Sequence, residues 1–135
     1  MAKQAAFGTS IKITAGTNIG NVTAIKGPGI SLDTADVTTH DSASGWEEHV
    51  ATILRSGEVT LDVVYDPANA QIKNAAGGLL NLMTTRASAS FTITFPSTQA
   101  IVFTAFVTGF EPDAAADGAL TASVKLKCTG AVTLP

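Results

Sequence analysis

At 135 residues with a formal net charge of −3, the chain is long enough to bury one real core, and it lacks the cationic surplus of a sequence-independent nucleic-acid binder. Only 14% of its residues are charged, against about a quarter in ordinary domains, and Thr, Ser and Asn fill the polar share. That balance suits a β protein that covers much of its surface in an assembly.

One cysteine, Cys128, excludes an internal disulfide, and with only two histidines no zinc framework can be drawn. Cys128 is expected to be a buried core thiol. The N-terminal MAKQAAFGTSIKIT lacks the apolar core of a signal peptide. No run approaches the ~20 apolar residues that span a bilayer, so no membrane insertion is expected. The reading is a soluble chain made in a cytoplasm, leaving the cell by a route such as lysis.

Taken in chain order, SIKIT (10–14) alternates with Ile11 and Ile13 on one face. GTNIGN reads as a turn and NVTAIK (21–26) as a short strand. Gly27-Pro28-Gly29 breaks the pattern, because proline lacks a donor and glycine opens positive φ. Residues 30–38, ISLDTADVT, are extended and polar, as an edge or functional strand would be.

Residues 39–57 have no clean period. WEEHVATILR (46–55) fits two helical turns, with Ser44 as cap and Trp46, Val50, Ile53 and Leu54 on one side. EVTLDVVY (58–65) is a firm strand with Val59, Leu61, Val63 and Tyr65 on one face. Asp66 then reads as the N-cap and Pro67 as the first residue of a helix over 67–83, weakened by ~1 kcal/mol for each of Gly77 and Gly78.

The last third is β again. SFTITF (90–95) puts Phe91, Ile93 and Phe95 on one face. AIVFTAFVTGF (100–110) is apolar on both faces and predicts a central strand covered on both sides. Pro112 and residues 113–118 predict a loop. ALTASVKLKC then alternates, with Leu120, Ala122, Val124, Leu126 and Cys128 inward. Six to eight strands and one helix predict a mainly β fold: a β-sandwich or partly closed barrel with one flanking α-helix. Residues 1–135 are expected to be one domain.

The candidate chemistry is concentrated in 39–57. His40, Asp41, Ser42, Ser44, Glu47, Glu48 and His49 are the inventory of a hydrolase or a metal site. Neighbours in an extended segment point to opposite faces, so His40-Asp41-Ser42 is not a catalytic triad by adjacency. The spacing lacks the two histidines one helical turn apart of a zinc helix, and no calcium loop is present. No cofactor or metal is expected. Glu47 and Glu48 read as helix-start charges or as interface partners of Arg55 or a neighbour's lysine. Trp46, the only tryptophan, reads either as a small local core or as an interface anchor.

The run from Lys26 to Asn69 resembles the major tail tube proteins of long, non-contractile-tailed bacteriophages. The elements that carry the likeness are G-P-G, then L-D-x-x-D-V-T-T-H-D, G-W-x-E, I-L-R-S-G-E entering a strand, and D-P. They cover about a third of the chain.

The resemblance implies a tail-tube fold shared with the type VI secretion tube protein. It implies hexameric rings stacked into a hollow virion tube that holds the tape-measure protein and later conducts DNA without binding it specifically. Tail-tip and tail-terminator proteins are the implied partners at its ends. It also implies that the loop 39–57 is mobile in the free subunit and orders against the next ring. Thr39, His40, Asp41, Ser42, Trp46, Glu47, Glu48, His49 and Arg55 are then contact residues rather than catalysts. The chain is short for that family, with no sign of an added immunoglobulin-like domain.

An acidic lumen would keep DNA from sticking, and Asp33, Asp36, Glu58 and Asp62 are the candidate lumen acids. The alternatives are another virion β-sandwich, such as a head decoration or tail adhesion module, and an enzyme built on His40, Asp41 or Ser42.

Overall fold

Strict alternation builds most of the molecule. In the computed structural model, which describes residues 5, 7–13, 17–20, 22–70, 72–74 and 78–135, nine strands form two sheets. They are β1 (Ser10–Ile13), β2 (Thr17–Asn18), β3 (Val22–Lys26), β4 (Ser31–Asp36), β5 (His49–Arg55), β6 (Glu58–Val64), β7 (Ser88–Thr94), β8 (Ala100–Ala114) and β9 (Leu120–Thr133). One helix, α1 (Leu79–Thr84), precedes β7. The larger sheet has seven strands in the order β2-β1-β7-β8-β9-β6-β3 and curls into a half-barrel. Strands β4 and β5 form a separate two-stranded sheet.

Register aligns the apolar rows. Ile13 lies opposite Phe91, and Phe91 opposite Phe103, whose ring stacks on it at 5.7 Å. On the other side of the sheet Val59 meets Leu126, Leu61 meets Val124 and Val63 meets Ala122. These side chains are buried in one core, at about 1.5–3 kcal/mol for each large one removed from water. The outer faces of β6 and β9 carry Glu58, Asp62, Lys125 and Lys127, as alternation requires.

Three stretches of the chain depart from expectation. The helix over 67–83 shrinks to Leu79–Thr84, with Gly78 extended at its N-cap. Asp66 and Pro67 instead open a series of turns: Asp66 Oδ1 accepts from the Ala68 N–H at 3.0 Å, and Asn69 N–H donates to the Asp66 carbonyl. Ile72, on this turn segment, is still fully buried, so its apolar spacing reported burial and not a continuous helix. Residues 71 and 75–77 lie outside the described set. Leu79 of the short helix is buried, and Leu82 and Met83 pack against the core.

Strand β8 is central in the sheet, but only its Phe103, Ala105 and Val107 face is buried; Phe106 on the other face is 40% exposed. It also runs through Pro112 and Asp113 to Ala114, where a loop was expected, pairing Pro112 with Ala122. The third correction concerns residues 46–55.

Candidate functional site

The expected helix over 46–55 is a β-strand. β5 pairs antiparallel with β4, setting Leu32 opposite Leu54, Ala35 opposite Val50 and Asp36 opposite His49. The register slips between Leu32 and Thr34, so that Thr52 and Ile53 together face Asp33. Thr52 Oγ1 donates to the Asp33 carbonyl at 3.0 Å, and Arg55 Nε meets Asp33 Oδ2 at 2.7 Å. Arg55 is thus paired with Asp33, not with Glu47 or Glu48.

This hairpin stands off the half-barrel as an arm. Every residue of β5 is exposed. The arm displays Ile30, Leu32, Val37, Trp46, Val50, Ile53 and Leu54, with Leu54 75% and Trp46 76% exposed. The register places Leu32 and Leu54 on one face, and Ala35 and Val50 on the other. Both faces are therefore apolar and uncovered. The exposure of Trp46 removes the local-core reading of that residue.

The base of the arm is fixed by glycines. Gly27 and Gly57 both have positive φ, at 108° and 75°. A Cβ on Gly27 would lie 2.3 Å from the Glu58 carbonyl oxygen, and one on Gly57 would lie 2.4 Å from the Gly29 carbonyl oxygen. Only a bare backbone permits both the conformation and the approach. The Gly57 carbonyl also accepts from Cys128 N–H at 3.0 Å, tying the arm base to β9.

The tip, residues 37–48, is held by a polar knot. Val37 N–H donates to the Glu48 carbonyl, and Glu48 N–H donates to Thr38 Oγ1 at 2.8 Å. Ser42 Oγ accepts from Thr39 N–H at 3.0 Å and donates to Glu48 Oε2 at 2.9 Å. Ser42 is the buried polar residue among those described. A 3₁₀ turn over Ala43–Gly45 follows, with Ser42, not Ser44, at its N-cap; Ser44 lies inside it at φ 56°. With no α-helix here, Glu47 and Glu48 are not helix-start charges. Glu47 instead lies 3.4 Å from His49 Nε2. Hydrogen bonding to Thr38, side chain first and backbone N–H second, holds the Asp36 carboxyl below its ordinary value, and nearby His49 adds to this.

The structure does not assemble the hydrolase inventory. His40 and Asp41 are exposed at the tip, while the Ser42 hydroxyl is directed to a carboxylate and not to an imidazole. Among the described residues no His, Cys, Asp and Glu group is placed to hold a metal ion. None of the described helices is long and apolar enough to cross a membrane. Cys128 is buried as expected, and burial pushes its thiol pKa up. The four candidate lumen acids fall in two places. Asp33 and Asp36 are on the arm; Glu58 and Asp62 are on the outer face of β6, where Glu58 lies 3.7 Å from Lys127.

What the sequence reading missed is a shallow cleft of about 690 Å³ where the arm joins the half-barrel. Ile30, Ile53 and Leu54 line its arm side; Cys128, Val132 and Leu134 line its β9 side. No sequence period marks it, because its walls come from segments that meet only in the fold.

Subunits of several tail-like particles share this fold. The chain superposes on a subunit of the virion of a native gene transfer agent particle with a TM-score of 0.77 at 16% identity, covering 98% of this chain and 99% of that one. A subunit from the tail of an empty gene transfer agent particle, refined helically with C6 symmetry, gives 0.73 at 17% identity, with 98% and 99% covered. A subunit from the sheath/tube terminator structure of the PVC extracellular contractile injection system gives 0.75 at 13% identity, with 100% and 98% covered. No curated protein sequence matches the chain. The profile of the lambda phage tail tube protein family matches residues 3–135, and the chain belongs to that family. It is a structural protein of the phage virion tail.

Proposed function

We propose that this chain polymerises as stacked hexameric rings into the tail tube and that the arm is its inter-subunit contact. The observation that carries this reading is the arm itself. An isolated two-stranded hairpin is marginal in water, yet this one leaves large apolar side chains bare on both faces. A second copy of the chain is the partner that supplies cover.

Residues 1–135 act as one tail-tube domain. The assembly segment is wider than 39–57 and takes in β4, the tip and β5. Thr39, His40, Asp41, Ser42, Trp46, Glu47, Glu48, His49 and Arg55 serve as contact or tip-forming residues, and the chain performs no catalysis. The free edges at β2 and β3 are paired or covered in the ring, which removes the exposed edges of a lone subunit. The tube surrounds the tape-measure protein, meets tail-tip and terminator proteins at its ends, and conducts DNA. Asp33, Asp36, Glu58 and Asp62 are its candidate lumen acids.

Two measurements test this. Electron microscopy of concentrated protein, with and without a tail-tip initiator, is expected to show stacked rings or hollow tubes. Limited proteolysis is expected to cut 37–57 in the free subunit and to spare it after assembly. Equal protection in both states sinks the arm assignment.

A further inference from the structure

The two ends of the arm are complementary. Between residues 37 and 48 the tip carries Asp41, Glu47 and Glu48 and no lysine or arginine. The same tip presents Trp46, the only tryptophan of the chain, held out by a backbone bond from its N–H to the Ala43 carbonyl at 3.1 Å. The cleft at the arm base has the opposite character. Its walls combine Ile30, Ile53, Leu54, Val132 and Leu134 with the hydroxyls of Ser31, Ser56 and Thr129; its charged residues are Arg55 and Lys127, and no carboxylate lines it. Each cation has an exposed partner, Asp33 at 2.7 Å and Glu58 at 3.7 Å.

We propose that Trp46, on the acidic tip of one subunit's arm, seats in the cation-rimmed cleft at the arm base of a second copy. This deepens, and rests on, the reading of the arm as an inter-subunit contact. A volume of about 690 Å³ falls within the range of sites that enclose a sizeable apolar group. Tryptophan is enriched among the buried anchors that dominate binding at interfaces, with a rim of weaker contacts that excludes water. Glu47, the exposed acid next to Trp46 in the chain, meets Arg55 or Lys127 at the rim, while Glu48 stays bonded to Ser42.

Geometry excludes self-docking. The six residues of β4 separate tip from base by about 20 Å at ~3.3 Å per residue. Knob and cleft are then different patches of one surface, and a head-to-tail contact between them closes into a ring or repeats along a tube. Its ionic rim weakens as salt screens it, whereas the indole contact persists.

The test reads Trp46 and the cleft separately in assembled protein. Because Trp46 is the only tryptophan, its emission in wild-type tubes is expected to shift to the blue and to lose acrylamide quenching relative to the free subunit. Unchanged emission in well-formed tubes overturns the proposal. Next, a trace of W46C subunits is doped into tubes of A131C subunits and mildly oxidised. Ala131 lines the cleft, and Cys128 forms part of its wall. A disulfide mapped from position 46 to position 128 or 131 of another subunit supports the proposal.

Doping into tubes of D117C subunits is the control, since Asp117 lies in the turn at the opposite end of β9. Linkage to that thiol, or none in either tube, overturns the cleft assignment while leaving the tube reading intact. Wild-type protein that forms neither rings nor tubes, even when seeded, overturns both.

Discussion

Leu54 and Leu61 are both leucines on strands consecutive in sequence, yet Leu61 is fully buried and Leu54 is 75% exposed. The first belongs to β6, which has β3 on one side, β9 on the other and a core beneath it. The second belongs to β5, which among the described residues pairs with β4 alone. The body is stabilised within one chain. The arm leaves its apolar side chains in water. Under the proposed function, folding and assembly energy are assigned to separate parts of the sequence, so substitutions should separate them too.

The comparison breaks most sharply in the body. Phe91→Ala removes a ring that packs between Ile13 and Phe103 and should cost ~3–5 kcal/mol in chemical denaturation. If it costs no more than an arm substitution, the division is wrong. At the junction, Gly57→Ala places a Cβ against the Gly29 carbonyl at a positive φ. A loss of about 1–3 kcal/mol is expected in the same experiment, with polymerisation impaired because the arm is re-aimed.

Ser42→Ala removes the centre of the tip knot. The Thr39 amide and the Glu48 carboxylate each lose a partner, and a local loss of about 1 kcal/mol should appear as faster hydrogen exchange at Thr39. Thermal melting of the body should be nearly unchanged. Leu54→Ser should alter subunit stability by less than about 0.5 kcal/mol, because the side chain is already in water. It should nevertheless abolish tubes under the microscope. Intact tubes would show that this face of the arm has no neighbour.

The smallest effect is protonic. The Asp36 carboxyl is held below its ordinary value in the fold, so its contribution is complete above the unfolded value of about 3.9 and is lost as pH falls through the folded value. The Thr38 amide, which donates to Asp36 Oδ1 at 2.9 Å, should report this as a pH-dependent chemical shift. Asp36→Asn should flatten that dependence.

The same division explains what could be read from the chain in advance. Strands β6, β7 and β9 were legible because one face of each is buried by its own molecule, which imprints a period of two on Val59-Leu61-Val63, Phe91-Ile93 and Val124-Leu126. β5 has no such imprint. With neither face buried inside the subunit, Val50, Ile53 and Leu54 fell at a spacing that also fits a helix. The turn segment at 66–74 misled for a different reason: Asp66 and Pro67 begin turns as readily as helices, and the buried Ile72 supplied an apolar signal without helical hydrogen bonds. The stretch 39–57 stands out in the sequence as a candidate site by its inventory. That Ser42 serves as its structural centre depends on Glu48 folding back, which no spacing rule gives.

The slip in register between Leu32 and Thr34 has a consequence for errors of assembly. A flat, apolar, unpartnered hairpin would offer its edges to any other strand in a crowded cell, and pairing of that kind propagates without a geometric stop. The extra residue at Thr52 and Ile53 twists the arm and interrupts its ladder. A subunit proposed to polymerise in one way thereby carries, within its most exposed apolar segment, a distortion that disfavours fibrillar alternatives.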